Sequence, residues 1–576
     1  MGSAAAKAFG YFERFAVIAA QHPLLATLLI LCILPPSIWC VTSLRRGRNV
    51  QALWSTITII LVLVVFSWGD DTYTHVYRIV AVAEQIRSLE GSLLLTNSQT
   101  GVVVPTFVYY SPLPYILPVV LNLIGLPALA AFKIALCVQL VVMGLGVQRI
   151  VEKTHPTTAG FLAAVLFVSA NYTYEVWVSR AAFAELWVYS LVPWVISNSL
   201  PSRTPTRTPA RNATISLTLV FFLQAVAHPI VLAHSLICEV PVVMALSRQS
   251  PLELARRWLV PFTLALVLAT PFWLPQVLWQ SHILGPAALP VDFRDSFQTA
   301  AELLDPKNNR NIGTWLPLAV LLLVVLGRLR LSLRTGLLIV CCAMLMGLQS
   351  IYLRSITQRI PTLELSLFVW RLMLPAAMLA FAALLAGWRE AAPGPACKRN
   401  TTLLAWLAGI SAIFMAGFTV LESADYFPHL AAAKTDRAAL VAYDIDKEAS
   451  IWGIREYIPN YEPLKQACFA ITPEDVRPTR FAELRAGLAV TRPYVAVDHA
   501  PVGMVGYRVD GQSVQPSSCG DTLVLGPLAP GATVSVVEHA LQLLLFVRCA
   551  AMGLLALFLT FFLRGEWRRR RGMVAA

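Results

Sequence analysis

The chain has 576 residues, of which 57% are hydrophobic and only 13% charged, and its mean hydropathy is +0.65. Soluble proteins carry about 25% charged residues, so a soluble fold is excluded and a polytopic α-helical membrane protein is expected. The net charge of +13 does not point to nucleic acid, because the arginines cluster in short loops between apolar runs, which is the positive-inside pattern.

Apolar runs of roughly 17–25 residues, the length that crosses a bilayer, predict spans at 22–42, 51–68, 128–149, 157–170, 182–199, 213–227, 230–246, 258–277, 313–328, 335–351, 366–387, 401–421 and 541–563. Basic linkers orient them. Arg45, Arg46 and Arg48 follow the first span. Arg203, Arg207 and Arg211 lie in a Ser/Thr/Pro-rich linker. Arg248, Arg256 and Arg257 precede the eighth span, Arg328, Arg330 and Arg334 crowd a later loop, and Arg564 and Arg568 to Arg571 end the chain. All are expected in the cytoplasm, which puts 69–111, 278–312 and 422–540 on the outer side. Residues 112–125 are apolar but short and carry Pro112, Pro114 and Pro118. Counting them as a span would turn the Arg149/Lys153 loop outward, so they read as a helix at the outer surface.

Three regions result: a multi-pass membrane domain over 1–421 with outer-loop helices at 69–125, an extracytoplasmic domain over 422–540, and a last span with a basic tail over 541–576. In 422–540, alternating β-branched residues with Asp-Gly and Pro-Gly turns ("VGYRVDGQSV", "GPLAPGATVSVVE") predict short antiparallel strands. Of ten cysteines, Cys468 and Cys519 fall in this outer region. An extracytoplasmic compartment permits a disulfide between them, and two free thiols fit the sequence as well.

Three clusters carry chemistry. In "GDDTYTHVYR", residues 69–78, Asp71, His75 and Arg78 are spaced i, i+4, i+7 and share one helix face. Val76, Ile79, Val80 and Ala83 make the apolar stripe of an amphipathic helix along the outer surface. A carboxylate there can take a proton from a hydroxyl, and an arginine fork matches phosphate oxygens. The same residues also read as a helix cap with a solvated face. In "SRAAFAELW", Arg180 and Glu185 open an apolar span, where charges need partners; a structural ion pair and a binding role both fit. In "FVWRLMLP", Trp370 and Arg371 read as a lipid-phosphate site or as an interfacial anchor. His228 and His234 flank Pro229 at an outer turn and read as structural histidines, since metal ligation needs further partners. No Walker loop, dinucleotide fingerprint, nucleophile elbow or CxxC pair occurs.

The ordered set "GDDTYTHVYRI", "YYSPLPYIL", "SRAAFAELWVYSLVPW", "FVWRLMLP", "REYIP" and "GYRVDGQSV" resembles the bacterial membrane proteins called 6-pyruvoyl-tetrahydropterin synthase-related, which look like members of the C-type glycosyltransferase superfamily. The pterin label implies no pterin chemistry. Asp71, His75 and Arg78 fit a D-x-x-x-H-x-x-R run, with Asp70 where a histidine usually precedes it. Arg180 and Glu185 fit R-x-A-F-A-E, and Trp370 and Arg371 fit the W-R segment.

Hydropathy and charge give about 13 transmembrane helices and strand patterning a small extracytoplasmic β-rich domain before the last helix, to which the resemblance adds a C-type glycosyltransferase-like fold. The resemblance implies sugar transfer from a polyprenyl-phosphate donor to a glycan, lipid or protein acceptor on the outer face of a bacterial plasma membrane. Asp71 and His75 would be catalytic. Arg78, Tyr110, Arg180, Glu185, Trp370 and Arg371 would bind substrate, with Tyr109 and Trp187 also available to stack on sugar. The implied partners are the bilayer, the lipid-linked sugar and the acceptor. No cofactor is assigned, and metal dependence and oligomeric state are left open. Two rival classes stand beside this one: a transporter of lipid-linked sugars, which wants charges deep inside spans, and a non-catalytic component of envelope-polysaccharide assembly.

Overall fold

The computed structural model describes residues 17, 19–46, 49–69, 71–88, 95–96, 103–104, 106–170, 173, 175–201, 210–247, 249–278, 297–304, 315–360, 369–388, 402–411, 417, 420, 476–479, 483–484, 487–498, 505–519, 522–554 and 560. It divides into two compact units. The first comprises Met1–Ile79, Leu113–Ala265 and Val291–Leu440, and the second Val80–Pro112, Leu266–Pro290 and Val441–Ala576.

The principal helices, in chain order, are α1 (Pro23–Arg45), α2 (Asn49–Phe66), α3 (Thr72–Arg87), α4 (Ile116–Leu123), α5 (Ala128–Thr154), α6 (Thr158–Val168), α7 (Phe183–Ser199) and α8 (Ala210–Ala227). They continue with α9 (Pro229–Ser247), α10 (Pro251–Leu278), α11 (Trp315–Val325), α12 (Leu333–Gly347), α13 (Met373–Gly387), α14 (Thr402–Ser411) and α15 (His539–Leu554). A helix occupies part of each of the 13 predicted spans. Among the described residues, four are long and apolar enough to cross a bilayer alone, at Pro23–Leu44, Ala128–Thr154, Pro229–Ser247 and Pro251–Leu278. The others are shorter. At 11 residues, α6 is about 16 Å long, against a hydrocarbon core of about 30 Å.

Burial explains α6. Every residue from Ala159 to Val168 is buried, as is nearly all of α13. A helix that is apolar all round belongs in the centre of a membrane bundle. α6 packs against α2, α5 and α13, and α5 lies along α7. Gly146 permits that last approach: a Cβ there would stand 2.8 Å from the Pro193 Cβ and 2.9 Å from the Trp194 Cδ1, the close packing that small residues give membrane helices. Residues 112–125 form a short 3-10 turn, Leu113–Tyr115, and α4, which packs on α5.

In the second unit, Leu95–Thr96 (β1) pairs antiparallel with Val103–Val104 (β2). Eight further strands build two four-stranded sheets. The first has the order β4 (Leu488–Ala489), β10 (Thr533–Val537), β6 (Gly506–Val509) and β7 (Gln512–Val514); the second has β3 (Val476–Thr479), β5 (Tyr494–Asp498), β9 (Thr522–Leu525) and β8 (Ser517–Cys519). The Asp-Gly turn is where the sequence predicts it, joining β6 to β7 with φ +49° at Asp510 and +80° at Gly511, the left-handed pair that suits a tight hairpin. One pairing departs from the antiparallel expectation: β3 and β5 run parallel. The chain between them visits the other sheet as β4, and such a crossover is what a parallel pair requires.

Candidate active site

The first and second sequence clusters are joined through backbone. The amide of Asp71 donates to the Arg180 carbonyl at 2.9 Å. Gly69 makes this possible, because a Cβ there would lie 2.7 Å from the Ala181 Cβ and 2.8 Å from both the Ala181 N and the Arg180 C. On the other side of the contact a π-helical turn, Glu175–Ser179, ends in Arg180, and Ala181 takes a φ of +54°. A non-glycine residue pays for that conformation only where the surroundings hold it, and here the bend turns the chain into α7.

α3 begins at Thr72, whose amide donates to the Gly69 carbonyl at 2.9 Å, and the His75 amide donates to the Asp71 carbonyl at 3.1 Å. Asp71 is half-buried. His75 and Arg78 are each 3% exposed, so of the two readings of this face the solvated one does not hold: both side chains are packed inside the first unit. Both meet Tyr115: its hydroxyl lies 2.6 Å from the His75 Nδ1 and accepts from an Arg78 guanidinium nitrogen at 3.1 Å. A tyrosine hydroxyl can both accept and donate, so one oxygen serves both side chains. Phe132, Phe183 and Tyr115 surround the ring at centroid distances of 5.5, 5.5 and 5.8 Å. Burial, and then the charge of Arg78, hold His75 well below the ordinary imidazole range, with Glu185 opposing.

Arg371 belongs to the same site. It sits in a 3-10 turn, Val369–Leu372, just before α13, so the predicted span at 366–387 starts its α-helix later than expected. Its Nε donates to the Glu185 Oε1 at 2.7 Å and a second nitrogen lies 2.5 Å from the same oxygen. Arg180 reaches that oxygen at 3.4 Å. Two guanidiniums thus share one carboxylate oxygen. The Tyr189 hydroxyl donates to the Arg371 carbonyl at 3.2 Å and holds the turn.

Of the other predicted site residues, Tyr110 belongs to the second unit and is half-buried. Trp370 precedes Arg371 in the 3-10 turn, but its side chain lies outside the description, as do Asp70 and the Tyr109 side chain. Cys519 is on β8 without a described side chain and Cys468 is outside the described residues, so the proposed disulfide goes untested. Among the described residues no group of three His, Cys, Asp or Glu side chains is placed to hold a metal.

Sequence reasoning missed three groups. Tyr115 was in view in "YYSPLPYIL", but spacing along α3 says nothing of a tyrosine 40 residues away. His228 and His234, read as structural, have Arg371 and Glu185 as electrostatic neighbours. Glu239, fully buried on α9, accepts from the Gln224 side chain at 2.8 Å; a single acid in an apolar run left no pattern to follow.

Residues 107–423, more than half of the chain, match the 6-pyruvoyl-tetrahydropterin synthase related domain, a membrane protein family. The chain belongs to that family. The family match contains Tyr115, Arg180, Glu185, His228, His234 and Arg371, while Asp71, His75 and Arg78 precede it. No curated protein matches the chain. A cryo-EM structure of the arabinofuranosyltransferase AftD from mycobacteria superposes with a TM-score of 0.42 at 15% identity, covering 84% of this chain and 40% of that one; the chain spans less than half of that protein's length.

Proposed function

We propose that this protein is a membrane glycosyltransferase of the C-type superfamily. It moves a sugar from a polyprenyl-phosphate donor to a glycan, lipid or protein acceptor at the extracytoplasmic face of a plasma membrane. The observation that carries this reading is the backbone bond from Asp71 to Arg180, which ties a half-buried aspartate to the cluster in which Arg180 and Arg371 meet Glu185. Asp71 accepts the proton of the acceptor hydroxyl as its oxygen attacks the anomeric carbon. The bond from that carbon to the phosphate oxygen breaks, its electron pair leaves with the polyprenyl phosphate, and Arg371 and Arg180 stabilise the charge that develops. His75 and Arg78, both bonded to Tyr115, act here as positioning residues: they hold α3 so that Asp71 faces the site.

The transporter reading wants charges along a path through the spans. Among the buried ionisable groups within spans, Glu239 is bonded to Gln224, Lys133 to the Ser67 carbonyl at 2.5 Å and Arg371 to Glu185, and these local bonds favour the enzyme reading. The deciding experiment is Asp71→Asn, assayed for transfer of labelled sugar from lipid-linked donors in membranes holding equal amounts of folded protein. The expected loss is about 10²–10⁴-fold, the usual contribution of a general base. Undiminished transfer would remove Asp71 from the mechanism.

A further inference from the structure

Two buried polar groups of the first unit are not used by the mechanism above. His234, on α9, is 2% exposed, and among the described residues neither its Nδ1 nor its Nε2 has a hydrogen-bond partner. Glu185, on α7, is 4% exposed; its Oε1 takes both arginines and its Oε2 has no partner among the described residues. α9 packs against α7 and against the turn that carries Arg371.

Buried polar groups are almost always bonded, and those that are not call for an explanation. The chemistry of these two selects what would satisfy them. A carboxylate oxygen only accepts, while an imidazole offers one donor and one acceptor. Phosphate oxygens are acceptors too, and would meet repulsion at Oε2. A hydroxyl both donates and accepts, so neighbouring hydroxyls can donate to Oε2 and exchange bonds with both ring nitrogens.

We propose that His234 and the Glu185 Oε2 form the subsite that recognises hydroxyl groups of the transferred sugar. This rests on the glycosyltransferase reading and adds to it the residue that distinguishes a glycosylated lipid phosphate from a bare one.

The test measures binding of farnesyl phosphate, and of farnesyl phosphate carrying mannose, glucose or arabinose, to the full chain in lipid nanodiscs. Wild-type protein is expected to bind at least one glycosylated probe more tightly than farnesyl phosphate. His234→Phe, which keeps the ring volume, is expected to erase that difference, a loss of roughly tenfold for the bonds removed, with the affinity for farnesyl phosphate unchanged. His234→Gln, which keeps a donor and an acceptor, is expected to recover part of it. A sugar-dependent gain that survives in His234→Phe overturns the subsite and leaves the enzyme reading intact, as does a wild type that binds bare and glycosylated lipids equally. Equal weakening of all probes together with a lowered melting temperature makes His234 a packing residue and also overturns the proposal. A wild type that binds none of the probes fails the glycosyltransferase reading itself, and the subsite with it.

Discussion

Glu185 answers two guanidiniums with one charge, and Arg371 and Arg180 both reach for the same oxygen. Such a cluster is costly to assemble in a low-dielectric interior and costlier to leave incomplete. Glu185→Ala removes the carboxylate from between two buried cations and is expected to destabilise the protein by about 3–5 kcal/mol, read as a lowered melting temperature in detergent. Adding Arg371→Met to that variant should recover part of the loss, because the second substitution withdraws a charge the first has stranded. His75 makes a pH prediction. Its folded-state pKa lies below the ordinary value of 6.5, so the unfolded chain binds the proton more readily than the folded one. Its contribution is therefore fully present above about pH 6.5 and is lost as pH falls below that value. The melting temperature should drop on acidification, and His75→Gln should flatten that part of the curve.

At the scale of elements, the site depends on where two helices begin. α3 and α7 start from non-helical turns that touch backbone to backbone, Gly69 against Arg180 and Ala181. Gly69→Ala places a methyl group against main-chain atoms that no rotamer change can move. The expected cost is about 1–3 kcal/mol, and sugar transfer should fall much further than stability, because the displaced segment carries Asp71. The variant is checked by comparing transfer rate with melting temperature; parallel, modest losses in both would show that the contact serves packing alone. The periodicity of α3 was plain in the sequence, and Val76, Ile79 and Ala83 are indeed fully buried. Periodicity identified one apolar stripe and left the other face to solvent. It could not foresee that His75 and Arg78 are buried as well, since their partner, Tyr115, comes from another element.

At the scale of the whole molecule, the second unit gathers three stretches far apart in the chain. Arg548 on α15, 3% exposed, ties them together. It donates to the carbonyls of Phe107 and of Val108 before the proline-rich segment and to those of Pro271, at 2.8 Å, and Phe272 on α10, and its guanidinium lies 5.3 Å from the Phe272 ring centroid. A planar fork with five donors can serve carbonyls in several directions, whereas an ammonium is a compact point charge. Arg548→Lys should therefore loosen the second unit nearly as much as Arg548→Ala, seen as faster proteolysis between α10 and α15; a lysine variant as resistant as wild type would reduce Arg548 to a plain positive charge. The sequence does not single this arginine out, since its four acceptors are backbone groups that any sequence supplies.

The membrane class, the approximate positions of the helical segments and the Asp510–Gly511 hairpin are legible in the sequence alone. Each of these depends on local properties: hydropathy over a span's length, a period of 3.6 or 2, or a backbone conformation that only certain residues accept. Tertiary structure decided the rest. It placed Arg371 on Glu185 across 186 positions of chain, turned His75 and Arg78 inward to Tyr115, set β3 parallel to β5, and buried His234 and the Glu185 Oε2 with no hydrogen-bond partner among the described residues. These are pairings between distant elements. Their energies depend on which groups burial brings together, and in an apolar chain every span offers nearly the same local signal whatever its neighbours will be.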